Sequence, residues 1–180
     1  VIVATDSHAT MYGALGAVGI GVGVTDMGVL LTDGTMWTRI PEVVAIRLEG
    51  RLRPGTSAKD VALEILRRTG TSGLNYAAAE IIGDGARGLS IDGRCCLCNQ
   101  LGEAGVKSAS FVPDEMTATY TRSVTDKAFE MVLPDADAEY SREMVVDLSA
   151  IEPLVATPHS PANGVPASTP PKIISEFVMM

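Results

Sequence analysis

Near the start of the chain, Asp6, Ser7 and His8 set an acid, a hydroxyl and an imidazole side by side. A nucleophilic triad needs those groups to converge in space, whereas neighbours in an extended segment point to opposite faces, so the run is no serine-hydrolase site by itself. Taken alone it reads as a turn in which Asp6 caps the next segment. Gly13, Gly16, Gly19, Gly21 and Gly23 come next, at GxxGxxG and GxGxG spacings rather than the GxGxxG of a dinucleotide-binding turn, which favours close backbone packing. Cys95, Cys96 and Cys98 offer soft thiolates, but C-C-x-C lacks a second ligand cluster and the two histidines lie far apart in sequence. Small buried side chains on a helix suit that pattern better than a closed metal site.

The elements that must position these residues belong to an ordinary globular chain of 180 residues, 46% apolar and 20% charged. A net charge of −8 with scattered Lys and Arg argues against a nucleic-acid surface. No apolar run approaches the roughly 18 residues of a membrane span, and the opening VIVATDSH lacks the flank and cleavage pattern of a signal peptide, so a cytoplasmic location is expected. The crowded cysteines fit a reducing compartment. Val1 in place of an initiating Met suggests a piece of a longer chain.

The apolar run Val1 to Ala4 predicts a strand that delivers Asp6, Ser7 and His8 to its carboxyl end, where open sheets place their ligand loops. Tyr12 to Leu31 predicts a tightly packed helix and turn, with a short helical stretch in TDMGVLLTDGTMW. Val44, Ile46 and Leu48 alternate with charged neighbours as in a half-wet strand. TSAKDVALEILRRTG is the plainest helix, with Ser57 and Asp60 as a capping box and Gly70 as its stop. Propensity leaves NYAAAEIIGDGARG open between helix and strand. Further along come a helix through Asn99 to Ala104, a strand at Ser110 to Val112, a helix near Asp114 to Arg122 and an extended segment at Glu143 to Leu148. No internal repeat is present.

In order and spacing, ATDSHATMYGALGAVGIGVGVTD, EGRLRPGTSAKDVALEILRRTG and IDGRCCLCNQLGEAGVKSASFVPDE resemble the aconitase superfamily, and within it the isopropylmalate-isomerising branch. The resemblance runs to about Pro161. It implies an α/β fold of aconitase-like open α/β/α sheets: residues 1–42 end a first domain, 43–150 form a second, and 151–180 are a Pro/Ser-rich connector or tail. It turns YAAAEIIG into a strand. The implied reaction is dehydration and rehydration of a hydroxy di- or tricarboxylate on a [4Fe-4S] cluster, here the interconversion of 2- and 3-isopropylmalate in leucine biosynthesis, with a small swivel-domain subunit completing the site. Aconitase or homoaconitase activity, or a carboxylate-binding module without catalysis, are the alternatives.

Under that resemblance Asp6, Ser7 and His8 fall on the family's D-S-H motif. His8 would act beside the leaving hydroxyl, Ser7 would hold a substrate carboxylate, and Asp6 would orient a histidine from elsewhere. CNQLGEAG falls on C-N-M-x-x-E-x-G-A, so Asn99 would lie against the cluster without ligating it and Glu103 would face His8 within hydrogen-bond reach or one water of it. The four-residue step from Asn99 to Glu103 puts both on one face of a regular helix. Ala9, Gln100, Gly102 and Val106 depart from the customary Thr, Met, Ala and Ala, and Cys98 matches a cysteine that is not a cluster ligand. The family's ligand segments, S-C-T-N-G and the C-x-x-C that comes after it, are not found in the sequence, so the chain is expected to be inert alone.

Overall fold

A computed structural model describes residues 1–169. The apolar opening forms β1 (Ile2–Ala4), and Ser7–Leu15 then winds as a 3-10 helix closed by Gly16 at a left-handed φ of 74°. In place of a continuous helix and turn, the glycine-rich stretch returns as β2 (Gly19–Gly21), parallel to β1, before α1 (Val24–Asp33). The glycines explain the difference: a Cβ at Gly19 would lie 1.9 Å from the Ala9 carbonyl oxygen, so only a bare backbone can pass there. None of the residues of α1 is buried.

The rest is built on a four-stranded parallel sheet in the order β5-β4-β3-β6, comprising β3 (Val43–Glu49), β4 (Ala78–Ile82), β5 (Ser108–Phe111) and β6 (Arg142–Asp147). Crossovers carry α2 (Ala58–Thr69), then α3 (Asp84–Arg87) and α4 (Ile91–Gln100), then α5 (Glu115–Val124). The period-two pattern sends Val44, Ile46 and Leu48 into the core with Ile81 and Phe111, where the apolar stripe of α2 (Val61, Ile65, Leu66) and Leu97 of α4 cover them. The opposite face is polar: Arg47 pairs with Glu143 across β3 and β6, and the Tyr140 hydroxyl donates to Glu80 at 2.7 Å. The α/β class holds, with the packed core on one face of the sheet among the described residues.

Local chemistry sets the ends of these elements. Ser57 caps α2, and its N–H donates to Asp60 Oδ2 at 2.7 Å, the reciprocal arrangement its spacing predicts. The second Asp60 oxygen accepts from Leu154 N–H at 2.7 Å, which ties the hairpin of β7 (Leu154–Ala156) and β8 (Gly164–Pro166) to α2. The part of the expected tail up to Thr169 is therefore anchored, while 170–180 lies outside the described residues. NYAAAEIIG resolves as β4, because Ala79 and Ile81 are buried between β3 and β5 in parallel register. The helix expected to reach Ala104 stops at Gln100, and Leu101–Ala104 tightens into a 3-10 turn ended by Gly105 at φ 89°. Among the described residues no helix is long and apolar enough to cross a membrane.

Candidate functional site

β1 ends in the turn that presents the first group of chemical residues. Asp6 has extended backbone geometry and its Oδ1 accepts from His8 N–H at 2.8 Å, capping the 3-10 helix. The same oxygen lies 2.8 Å from His8 Nδ1. The backbone hydrogen bond, then the ring hydrogen bond, hold the Asp6 carboxyl below the usual carboxylate range. Asp6, Ser7 and His8 are all exposed. Asp6 thus engages the histidine two residues on in its own chain.

Behind this turn the 3-10 helix packs along α4 and β5. The approach is close because Gly13 has no side chain: a Cβ there would lie 1.6 Å from the Ala109 carbonyl oxygen. A cavity of 410 Å³ lies between distant parts of the sequence. Ser7 and Thr10 line it from the amino-terminal turn, Val22 and Gly23 from the loop after β2, and Gly102, Val106 and Lys107 from the turn after α4. Ser7 of the D-S-H turn and Gly102 of the C-N-Q-L-G-E-A-G segment thus line one space, whereas Asp6, His8, Asn99 and Glu103 are not among its lining residues. A larger hollow of 770 Å³ at the carboxyl ends of β4 and β5 holds none of the residues expected to act.

Asn99 and Glu103 do not sit on one continuous helical face. Asn99, one residue before the end of α4, is half-buried, and its Oδ1 is buried without a hydrogen-bond partner. Glu103 lies in the 3-10 turn and is exposed; at about 3 residues per turn a four-residue step rotates it away from Asn99. Among the described residues no hydrogen bond joins His8 to Glu103, since the His8 ring is turned to Asp6.

Among the described residues no three His, Cys, Asp or Glu side chains gather into a set able to hold a metal ion. Cys98 is buried with its thiol pushed up by desolvation, the opposite of a ligating thiolate, and Cys95 is shifted the same way by burial and then Asp92. The orphaned Asn99 Oδ1 leaves one polar atom on α4 without a partner, but the described residues supply no ligand set for an iron–sulfur cluster.

Several residues that no motif marks are set by the packing. Thr10 is buried with an unpartnered hydroxyl oxygen, which only the packing of the turn reveals. Tyr76 has φ 60°, its hydroxyl accepts from Arg39 N–H at 3.2 Å, and the Arg39 guanidinium stands 4.3 Å over its ring, so it pins the segment leading into β3. Arg94 is buried under the carboxyl edge of the sheet, with Asp114 accepting from both terminal guanidinium nitrogens at 2.9 and 2.6 Å. A twenty-residue separation gives no sequence signal for that pair.

Residues 1–177 match the family described as Aconitase family (aconitate hydratase). The chain is 42% identical over 92% of its length to 3-isopropylmalate dehydratase large subunit 1 of Methanopyrus kandleri, covering 40% of that protein. It is 41% identical over 90% of its length to the 3-isopropylmalate dehydratase large subunit of Helicobacter hepaticus, covering 39% of it. The corresponding large subunit of Picrophilus torridus is 41% identical over 93% of the chain and 40% of that protein. The chain spans about 40% of the length of these relatives.

Proposed function

The chain belongs to the aconitase family, and on that premise we propose that it forms one wall of a hydro-lyase active site that interconverts 2- and 3-isopropylmalate through a dehydrated intermediate. The observation that carries this reading is the shared cavity: Ser7 of the D-S-H turn and the 102–107 turn after α4 line one space, ninety-odd positions apart in sequence. Residues 1–42 would close one α/β domain and 43–150 form the next, with the catalytic residues at their junction.

In this reading the Asp6 carboxylate holds the His8 ring through Nδ1, which leaves Nε2 facing outward to give or take the proton that accompanies departure of the substrate hydroxyl. Ser7 donates to a substrate carboxylate. Asn99 presents its unsatisfied Oδ1 to whatever group seats against α4. Glu103 is exposed and would exchange a proton with His8 once substrate draws the turns together, since catalytic hydrogen bonds often tighten only in the complex. The [4Fe-4S] cluster of the family would polarise the hydroxyl, with ligands from outside the described residues. A small subunit is the expected partner, as the relatives' name "large subunit" suggests, and a cytoplasmic place in leucine biosynthesis accords with it.

The test is turnover by the complete reading frame that contains this chain, produced with its candidate small subunit and cluster reconstitution. Loss of 2-isopropylmalate with transient absorbance from the unsaturated intermediate is expected. Preference for citrate or homocitrate would move the reading to aconitase or homoaconitase, and no turnover of any of the three would leave a carboxylate-binding module.

A further inference from the structure

Lys107 enters the cavity from the turn that Gly105 closes, one residue before β5. Its backbone N–H donates to the Ala77 carbonyl at 2.8 Å, which fixes the root of the side chain. The ammonium lies 5.6 Å from the centroid of the Tyr76 ring, and among the described residues it forms no ion pair. Thr10 reaches the same space from the other side. It is 3% exposed, yet its hydroxyl oxygen has no hydrogen-bond partner. A buried hydroxyl left unpaired costs stability that a ligand able to pair with it restores.

Of the residues that line this space, Lys107 is the cation and no acidic side chain accompanies it. Lys107, Ser7 and Thr10 all line the volume of 410 Å³, with Val22 and Val106 as its apolar walls. A carboxylate, acceptor-only and anionic, complements that set. We propose that Lys107 and Thr10 complete a carboxylate-binding subsite beside Ser7, with Lys107 supplying the charge and Thr10 a directional hydrogen bond. The assignment rests on the hydro-lyase reading for the identity of the ligand and adds to it two residues that no motif marks.

The experiment is calorimetric titration of the complete protein with 2-isopropylmalate and, separately, with its uncharged dimethyl ester. The unsubstituted protein should bind the dianion, more weakly as salt rises, and discriminate against the ester. Lys107→Met should weaken binding by about tenfold or more and flatten the salt dependence, Lys107→Arg should retain binding within about threefold, and Thr10→Val should cost about threefold to tenfold while Thr10→Ser restores it. Should Lys107→Met fail to fold, the ester comparison and Lys107→Arg still decide. Binding that Ser7→Ala weakens while Lys107→Met and Thr10→Val leave it unchanged overturns the subsite and leaves the hydro-lyase reading in place. Equal affinity for acid and ester overturns the subsite too, whereas that reading stands or falls on turnover.

Discussion

One oxygen of Asp6 faces two nitrogens of His8, the backbone N–H and the ring Nδ1, each at 2.8 Å. Because the Asp6 carboxyl is held below the usual range, it is an acceptor near neutrality and assigns the ring proton to Nδ1. The turn is thereby a device for orienting one imidazole, built within three residues. Heteronuclear NMR of the His8 ring at pH 8 should show a protonated Nδ1 and a bare Nε2. Asp6→Asn should disturb that tautomer and lower kcat in the complete enzyme by about a hundredfold or more. An unchanged ring spectrum would contradict the orienting role.

Acid should destabilise the fold in a defined window. Asp6 is lowered by its hydrogen bonds to His8; at Glu64 and Asp114 burial pushes the carboxyls up, but hydrogen bonds from Arg67 and Arg68, and from Arg94, outweigh it. A folded pKa below the unfolded one means that the unfolded chain binds more protons as pH falls, so this stabilisation is complete above about pH 5 and lost as pH drops through the lowered values. Urea midpoints should be flat from about pH 7 to 5 and fall steeply below about 4. Asp114→Asn should flatten the acid limb.

The Arg94 side chain is 1% exposed and that of Asp114 23%, so removing the carboxylate strands a buried guanidinium. Asp114→Ala should cost about 3 kcal/mol in urea unfolding, towards the lower end for a broken buried pair because Asp114 is partly hydrated. Arg94→Met combined with Asp114→Leu should cost clearly less than Asp114→Ala alone. Equal losses would show that packing, rather than the unpaired charge, sets the penalty.

Gly13→Ala tests whether the 3-10 helix must press on β5. A methyl would meet the Ala109 carbonyl, and the neighbour is backbone, which cannot swing aside. A loss of about 2 kcal/mol or more is expected, with chemical-shift changes in Ser7, Thr10 and Lys107. Gly28→Ala, where nothing lies within 4 Å, is the control and should be neutral or slightly stabilising.

Legibility in the sequence depends on range. The Ser57 and Asp60 cap, the α2 stripe and the alternation in β3 are local patterns and appear where the residues placed them. β4 was open on propensity, because its alanines acquire strand geometry only between β3 and β5. β2 was hidden because glycine spacing signals close approach without saying what approaches. In the site, Asp6, Ser7 and His8 announce themselves, whereas Thr10 and Lys107 gain meaning from a cavity that two distant turns create. The step from Asn99 to Glu103 misleads as helical geometry because α4 tightens to a 3-10 turn between them.

The central claim is that the D-S-H turn and the turn after α4 act on one reaction. A double-mutant cycle in the complete protein measures it directly: kcat for 2-isopropylmalate in His8→Asn, Glu103→Gln and the two together. Residues serving one proton transfer should be non-additive, with the double variant within about tenfold of the worse single one. Losses that multiply, or a Glu103→Gln variant with unchanged kcat, would contradict the shared site.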